Sequence, residues 1–368
     1  MKRNISMIAC SALVLFSASL FGDERSQPTK KTQAMPVNQG EPMTGSQMAA
    51  GYNHPARVNT TSDWDMFLTA KYLYWNVFQE GMEIGPLFAA NTATSNREPT
   101  SVLTFDDTYR SGFKVGLGWN TPFDDWVVTA EYTWFRHNVT KNQPDGSFLV
   151  SNFLQAKITP FDYTNGDVVT ASSNKWKIDL DVIDLMVSRP FYQGTRLTVN
   201  PSFGLRGVLL NQKYTINGNV YGSALNPRTA YGKTDSWAVG PAFEIGGNFL
   251  LGAGFRMIGS VGGALTFTRY NAIKYFAQTQ VASSPDLNLE APAQNRVRAI
   301  GDAQAGLGWG TYLCNQRYHL DVSATYEFQV YGNQNMINWY SASLSGLNGT
   351  SPGNLYFQGL TVSAAFDF

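Results

Sequence analysis

The chain has 368 residues, and its 27 basic and 27 acidic side chains balance, which excludes the basic surface expected of a nucleic-acid-binding protein. Of its two cysteines, Cys10 lies in an apolar N-terminal stretch that we expect to be removed, so Cys314 has no partner for an internal disulfide. A small secreted scaffold held together by disulfides is therefore excluded, and backbone pairing and packing must stabilise the fold.

Residues 1–22 have the three-part pattern of a secretory signal peptide. Lys2 and Arg3 are positive, residues 5–21 are mostly apolar, and small residues precede the charged run that starts at Asp23. The apolar stretch is short for a membrane-spanning helix, so we predict export followed by cleavage. Residues 23–62 are polar and lack the period of either a strand or a helix, which predicts a disordered periplasmic lead.

Residues 63–368 repeat one unit, an alternating segment followed by a connector. In residues 109–120, for example, Phe113, Val115 and Leu117 alternate with glycine, lysine and asparagine, which is the period of a β-strand. Segments of this kind are predicted at residues 66–78, 109–120, 126–139, 175–187, 196–210, 236–249, 255–268, 298–313, 318–330 and 356–368.

The connectors between these segments alternate between short and long. The short ones are residues 121–125, 189–195, 250–254 and 314–317, and the long ones are residues 79–108, 140–174, 211–235, 269–297 and 331–355. Short periplasmic turns and long outer loops are typical of outer-membrane barrels. We therefore predict an all-β fold, a transmembrane antiparallel up-and-down β-barrel of about ten strands, or twelve if residues 140–174 contain a further hairpin.

Aromatic side chains cluster at the predicted strand ends. Trp119, Trp126, Trp309 and Tyr318 border the short turns, and Tyr109, Trp134, Trp176 and Trp237 border the long loops. Two such belts are expected at the two faces of a membrane, whereas in the alternative, a soluble β-sandwich, the apolar faces would pack inward. The prediction places the chain in the bacterial outer membrane, in contact with its lipid.

A sheet in lipid cannot leave its edges unpaired, so the first and last strands should pair with each other. The chain ends on an alternating strand whose last residue is the aromatic Phe368. We expect Phe368 to be recognised by the barrel-assembly machinery during insertion.

Five short motifs follow one another along this part of the chain. They are FLTAKYLYW at residues 67–75, IDL at 183–185, PSFGLR at 201–206, VGP at 239–241 and GLTVSAAFDF at 359–368. In this order they resemble the pore-forming major outer membrane proteins of the Legionella type, which also occur in environmental chlamydiae. The likeness covers nearly the whole chain after about residue 63, and it implies an outer-membrane, porin-like protein.

If the apolar faces contact lipid, the charged residues opposite them line the interior. These predicted pore-lining residues are Lys71, Lys114, Glu131, Lys177, Asp179, Asp181, Arg206, Glu244, Arg256, Asp302, Asp321 and Glu327. Facing groups of both signs would bias which ions or solutes pass, so we predict a porin-like channel for passive diffusion of small hydrophilic solutes or ions.

A second interpretation follows from the small strand number, because about ten strands enclose little space. It is a narrow, plugged barrel that serves as a surface adhesin or a structural envelope protein through its long outer loops, which would contact host or envelope surfaces. The sequence leaves the oligomeric state open, a homo-oligomer included.

The three histidines do not suggest a reaction centre. His54 lies in the predicted lead, His137 near the outer end of its strand and His319 near the periplasmic end of another, so they should not share a metal or a catalytic cluster. We expect no enzymatic activity, no metal and no cofactor.

Overall fold

The computed structural model describes residues 54–61, 65–89, 100–150, 168–220, 227–279, 287–337 and 352–368. The predicted signal peptide and most of the predicted lead lie outside these ranges. Within them, fifteen β-strands join a single sheet. No helix in the described ranges is both long enough and apolar enough to cross a membrane.

Ten strands close the barrel. They are β1 (Met66–Gln79), β4 (Arg110–Asn120), β5 (Val127–Asn142), β7 (Val168–Ser188), β9 (Leu197–Val220), β10 (Pro227–Gly252), β11 (Phe255–Thr279), β13 (Gln294–Leu313), β14 (Tyr318–Tyr331) and β15 (Leu355–Asp367). Each pairs antiparallel with the next, and β1 also pairs with β15, from Phe67 beside Asp367 to Gln79 beside Leu355. The predicted closed barrel of ten strands is confirmed.

Five short strands accompany the barrel without adding to its circumference. They are β2 (Gly85–Ala89), β3 (Ser101–Leu103), β6 (Ser147–Val150), β8 (Phe191–Gln193) and β12 (Leu287–Ala291). The connector 140–174, in which a hairpin would have given twelve strands, contains β6, which pairs with β2 and with the outer end of β7. The extra pairing therefore builds the loop end of the barrel, and the wall keeps ten strands.

The register fixes the tilt of the strands. Followed in one direction, the row of paired residues through Lys71 reaches β13 at Arg296, and in the other direction it reaches β13 at Gly308. The two residues are 308 − 296 = 12 positions apart along β13. A stagger of this size around ten strands corresponds to a tilt of roughly 40° from the barrel axis.

Several strands extend far beyond their predicted ends on the long-loop side. β9, β10 and β11 have 24, 26 and 25 residues, whereas a membrane crossing takes about 9–11. Most of the predicted connector 211–235 is therefore strand. The sequence signal fades there because, outside lipid, outward positions such as Lys213 and Asn217 are polar while backbone pairing continues.

The outward face of the barrel is apolar. Leu68, Leu117, Phe243 and Leu265 point outward and are each about half exposed or more. Of the predicted belts, Trp119, Trp309 and Tyr318 are exposed near the short turns, and Tyr109 is exposed near the long loops. The apolar band with aromatic ends is the surface that lipid would cover.

On β7 the prediction reversed the two faces. Val182 lies beside Thr133, which lies beside Lys114, and residues directly paired in antiparallel strands point to the same face. Because Lys114 points inward, Val182 does too, and alternation turns Leu180, Ile178 and Trp176 inward with it. Trp176 is 2 % exposed inside the barrel, so its assignment to the outer aromatic belt is wrong.

Candidate functional site: the barrel interior

The interior contains a cavity of about 820 Å³ in its short-turn half. Nine of the twelve predicted pore-lining residues border it: Lys71, Lys114, Glu131, Arg206, Glu244, Arg256, Asp302, Asp321 and Glu327. Asp184 and Asp367 also line the cavity, although the sequence did not point to them. Asp184 was missed because the face of β7 was assigned in reverse.

Glycines on β4 make room for this charged wall. Inward positions 112, 116 and 118 are all glycine, so Lys114 is the residue of that stretch that projects a side chain into the interior. A Cβ at Gly118 would collide with the ring of Phe67, and one at Gly112 would lie 2.8 Å from the Phe135 ring. The glycine–lysine alternation therefore lets neighbouring strands fill the space beside β4.

The charged side chains on the cavity wall form ion pairs. Lys71 Nζ lies 2.6 Å from Glu131 Oε2, and Lys114 Nζ lies 2.7 Å from Glu327 Oε2. Both members of the second pair are buried. The first contact joins β1 to β5 past the intervening strand β4, and the second joins β4 to β14.

Arg206 forms ion pairs with two carboxylates at once. Its Nε and Nη1 lie 2.7 Å from Asp184 Oδ1 and Asp302 Oδ1, so one guanidinium bridges carboxylates of β7 and β13. Arg256 of β11 forms an ion pair with one carboxylate, that of Asp321 on β14. Among the described residues, Glu244 takes part in no ion pair; its carboxylate accepts a hydrogen bond from Ser260, and its backbone oxygen accepts one from Ser202 Oγ at 3.1 Å.

Lys177, Asp179 and Asp181 do not line the cavity, and their assignment to the interior is wrong. They lie on the outer surface near the loop end, where Arg136 Nη2 is 2.8 Å from Asp181 Oδ2 and Lys177 Nζ is 2.8 Å from Asp179 Oδ2. The guanidinium of Arg136 also lies 5.0 Å from the centre of the Trp134 ring. Charged and apolar residues do alternate on β7, but near the loop end the apolar side chains point into a packed interior.

Above the cavity, four rings form what we call the aromatic layer: Trp75, Phe135, Tyr331 and Phe357. Ring centres are 5.6 Å apart for Trp75 and Phe135, 5.8 Å for Phe135 and Phe357, and 5.4 Å for Tyr331 and Phe357. Each of the four side chains is at most 1 % exposed. The Nε1 of Trp75 donates a hydrogen bond to Thr361 Oγ1 at 3.1 Å, which fixes the indole.

The space beyond the aromatic layer is also filled. Phe105, from the connector after β3, packs against Trp176 and Tyr214, with ring centres 5.9 and 5.7 Å apart. Ile84 and Leu103, beside β2 and in β3, are buried in the same cluster. The described residues therefore close the lumen on the long-loop side.

The histidines and the cysteine lie apart from one another. His137 is buried beside Trp176, His319 Nδ1 lies 2.9 Å from Asp367 Oδ2, and His54 lies next to Tyr192. Cys314 is a free, exposed thiol in the turn between β13 and β14. In the ranges that the structure describes, no group of three or more His, Cys, Asp or Glu side chains is arranged to hold a metal ion.

A closed antiparallel barrel with an apolar outer band and a charged interior defines the chain as an outer-membrane β-barrel protein. In agreement with the fold, residues 56–368 match the family described as Legionella pneumophila major outer membrane protein precursor, and the chain belongs to that family. The short-turn end is accordingly the periplasmic end, and the apolar band contacts outer-membrane lipid.

Solved outer-membrane proteins resemble the chain only distantly. The outer membrane protease OmpT from Escherichia coli is 9 % identical, with a TM-score of 0.41, and the match covers 85 % of this chain and 99 % of that one. Ail of Yersinia pestis is 8 % identical with a TM-score of 0.20, covering 83 % and 99 %. The toluene transporter TodX of Pseudomonas putida is 8 % identical with a TM-score of 0.26, covering 83 % and 90 %. No curated protein sequence matches the chain.

Proposed function

We propose that the protein is a porin-like channel for small hydrophilic solutes or ions, held closed by the aromatic layer. The observation that carries this proposal is the cavity wall, where seven carboxylates and five lysine or arginine side chains surround about 820 Å³ inside the barrel. Charged groups at this depth are costly unless they are paired or face water, and they commonly mark a path for solutes. Export with removal of residues 1–22 is part of the same proposal.

The charges on the wall would act on a solute through their arrangement. Arg206 bridges Asp184 and Asp302 on two other strands, so a cation and two carboxylates meet at one level of the cavity wall. Such an arrangement produces a transverse field that orients dipolar solutes and discriminates between ions. Passage requires displacement of the aromatic layer, because each of its four rings is at most 1 % exposed and packs against another ring of the layer.

Recording from the purified mature protein in a planar bilayer tests the proposal. We expect discrete but infrequent conductance steps, and more frequent steps in Trp75→Ala and Phe357→Ala, which remove rings from the layer. Tyr74→Ala is the matched control, because Tyr74 belongs to the same strand but points outward and stacks on Tyr109. A wild-type protein that is silent at all voltages, and through which sugars do not enter liposomes, would overturn the channel proposal.

The sealed lumen also favours a second candidate, a closed barrel that acts at the cell surface through its projecting strands and loops. In that case the aromatic layer is permanent and the ion pairs below it serve stability. A silent bilayer, together with cell adhesion that is lost when the connector between β9 and β10 is replaced by a short turn, supports this candidate. The same replacement should leave adhesion unchanged if the protein is solely a channel.

A further inference from the structure

Residues 54–61 lie across the periplasmic end of the barrel, and we call this segment the strap. At one end, Pro55 pairs with Phe191 in an antiparallel bridge, where Ala56 N donates to Pro190 O at 3.0 Å and Tyr192 N donates to His54 O at 2.8 Å. At the other end, Thr61 N donates to Gln316 O at 2.9 Å. The strap thus belongs to the folded barrel, although residues 23–62 were predicted to form a disordered lead.

The two attachment points lie on nearly opposite sides of the mouth. The first is the turn between β7 and β9, and the second is the turn between β13 and β14, four strands further around a ring of ten. A segment that joins them must cross the opening as a chord. Consistent with this path, Ala56, Arg57 and Val58 line the cavity and form its floor.

Arg57 holds the middle of the strap. Its Nη1 donates to Thr121 O at 2.7 Å, and its Nε lies 3.1 Å from Asp125 Oδ1, both in the turn between β4 and β5. The side chain of Arg57 is 18 % exposed, so the contact is partly shielded from water. With this contact, the strap reaches three of the four short turns.

We propose that the strap is a periplasmic gate of the cavity, with Arg57 as its latch. The described contacts that hold the strap are one bridge, the ion pair of Arg57, a ring contact of His54 and a few hydrogen bonds, so it can open locally at far lower cost than any barrel strand. Control of solute passage by this gate rests on the proposed channel function. Occlusion of the cavity by the strap does not, and it can be measured on its own.

Chemical labelling of the cavity tests the gate. In a Cys314→Ser background, Ser260→Cys places one thiol on the cavity wall, and its rate of reaction with a small methanethiosulfonate reagent is measured in detergent. Because the aromatic layer closes the other end, the reagent must enter past the strap. We expect Arg57→Ala to raise the labelling rate about tenfold, since it removes a charge-assisted hydrogen bond from the closed state.

Arg189→Ala is the matched control, because Arg189 binds Asp124 of the same turn, with its Nη2 3.0 Å from Asp124 Oδ1, and lies outside the strap. It should leave the labelling rate unchanged. Equal rates in Arg57→Ala and Arg189→Ala would overturn the latch. A silent bilayer would not affect this result, so failure of the gate and failure of the channel are distinguishable.

A disulfide across the bridge tests the gate without relying on Arg57. Pro55 and Phe191 are a non-hydrogen-bonded antiparallel pair, because the hydrogen bonds of the bridge are made by their neighbours. The Cα atoms of such pairs are about 4.5 Å apart, which is close enough for a disulfide. With Pro55→Cys and Phe191→Cys oxidised, labelling at Ser260→Cys should fall below the rate of the unlocked protein and recover on reduction. A labelling rate that is the same in the oxidised and the reduced protein would overturn the proposal.

Discussion

At the scale of single residues, burial determines which charges matter. Lys114 and Glu327 are 7 % and 5 % exposed, and their contact at 2.7 Å lies directly beneath the aromatic layer, with Lys114 Nζ 5.0 Å from the centre of the Trp75 ring. Neither charge has enough water around it to replace its partner. The pair therefore depends on both members being present.

Removing one member of this pair should be more harmful than removing both. We expect Lys114→Met to lower the free energy of unfolding by about 3 kcal/mol, because it leaves the Glu327 carboxylate uncompensated. Lys114→Met combined with Glu327→Gln should recover much of that loss. Urea unfolding in phospholipid vesicles measures both, and a double variant that is less stable than Lys114→Met would contradict this account of the pair.

At the scale of strands, the closure of β1 on β15 extends beyond the last pair at the loop end. Glu80, just after β1, accepts hydrogen bonds from Asn354 N at 2.9 Å and from the Tyr356 hydroxyl at 2.6 Å. The hydrogen bond from the backbone of Asn354 lowers the pKa of Glu80 below its usual value of 4.5, and that from Tyr356 adds to the effect. The ionised carboxylate thus links the end of the first strand to the start of the last strand.

The hydrogen bonds from Asn354 and Tyr356 to the Glu80 carboxylate should weaken in acid. Because the pKa of Glu80 is lower in the folded state, its stabilising effect is fully present above pH 4.5 and is lost as the pH falls through the folded value. Hydrogen exchange at the Asn354 amide, corrected for its intrinsic pH dependence, should therefore accelerate in that range. Glu80→Gln should exchange rapidly at every pH, whereas Glu83→Gln, in the same connector, should behave as wild type.

The other end of the same seam carries the C-terminal residue. Phe368 N donates to Met66 O at 2.9 Å, and Met66 N donates to Phe368 O at 3.2 Å, so the last residue completes the ladder. We expect deletion of residues 366–368 to reduce strongly the fraction of heat-modifiable, folded barrel in outer membranes, and Phe368→Ala to reduce it less. Phe123→Ala, on an exposed turn, serves as the control, and normal assembly of the deletion variant would contradict this role for the seam.

Strand number, closure and most inward charges could be predicted because, within lipid, each strand has one apolar and one polar face. β7 shows where this reasoning fails. Lys177, Asp179 and Asp181 alternate with Trp176, Ile178 and Leu180, but a period of two does not state which side faces inward. Beyond the lipid band the inside is packed and the outside is wet, so the correct assignment is reversed there. The strap was missed for a different reason, since its main contacts are backbone hydrogen bonds and a single ion pair of Arg57, which leave no periodic pattern in the sequence.

At the scale of the whole molecule, the corrected faces predict which charges would set the ion selectivity of the proposed channel. Arg206 lines the cavity and Asp181 lies outside, although the sequence placed both in the lumen. Arg206→Gln removes one of five positive charges opposite seven carboxylates, so the reversal potential in a salt gradient should shift toward cation permeation. Asp181→Asn should leave it unchanged. A shift in the second variant without one in the first would refute the assignment of the two faces.

The long central strands have a consequence at the bacterial surface. On β10, the residues from Pro227 to Ser236 precede Trp237, the first outward apolar side chain of the band. At about 3.3 Å per residue and a tilt of roughly 40°, they raise the edge of the wall about 25 Å beyond the lipid. A wall of that height lifts the outer ends of β9 and β10 clear of the inner sugars of the outer leaflet, within reach of antibodies and bacteriophage tail fibres.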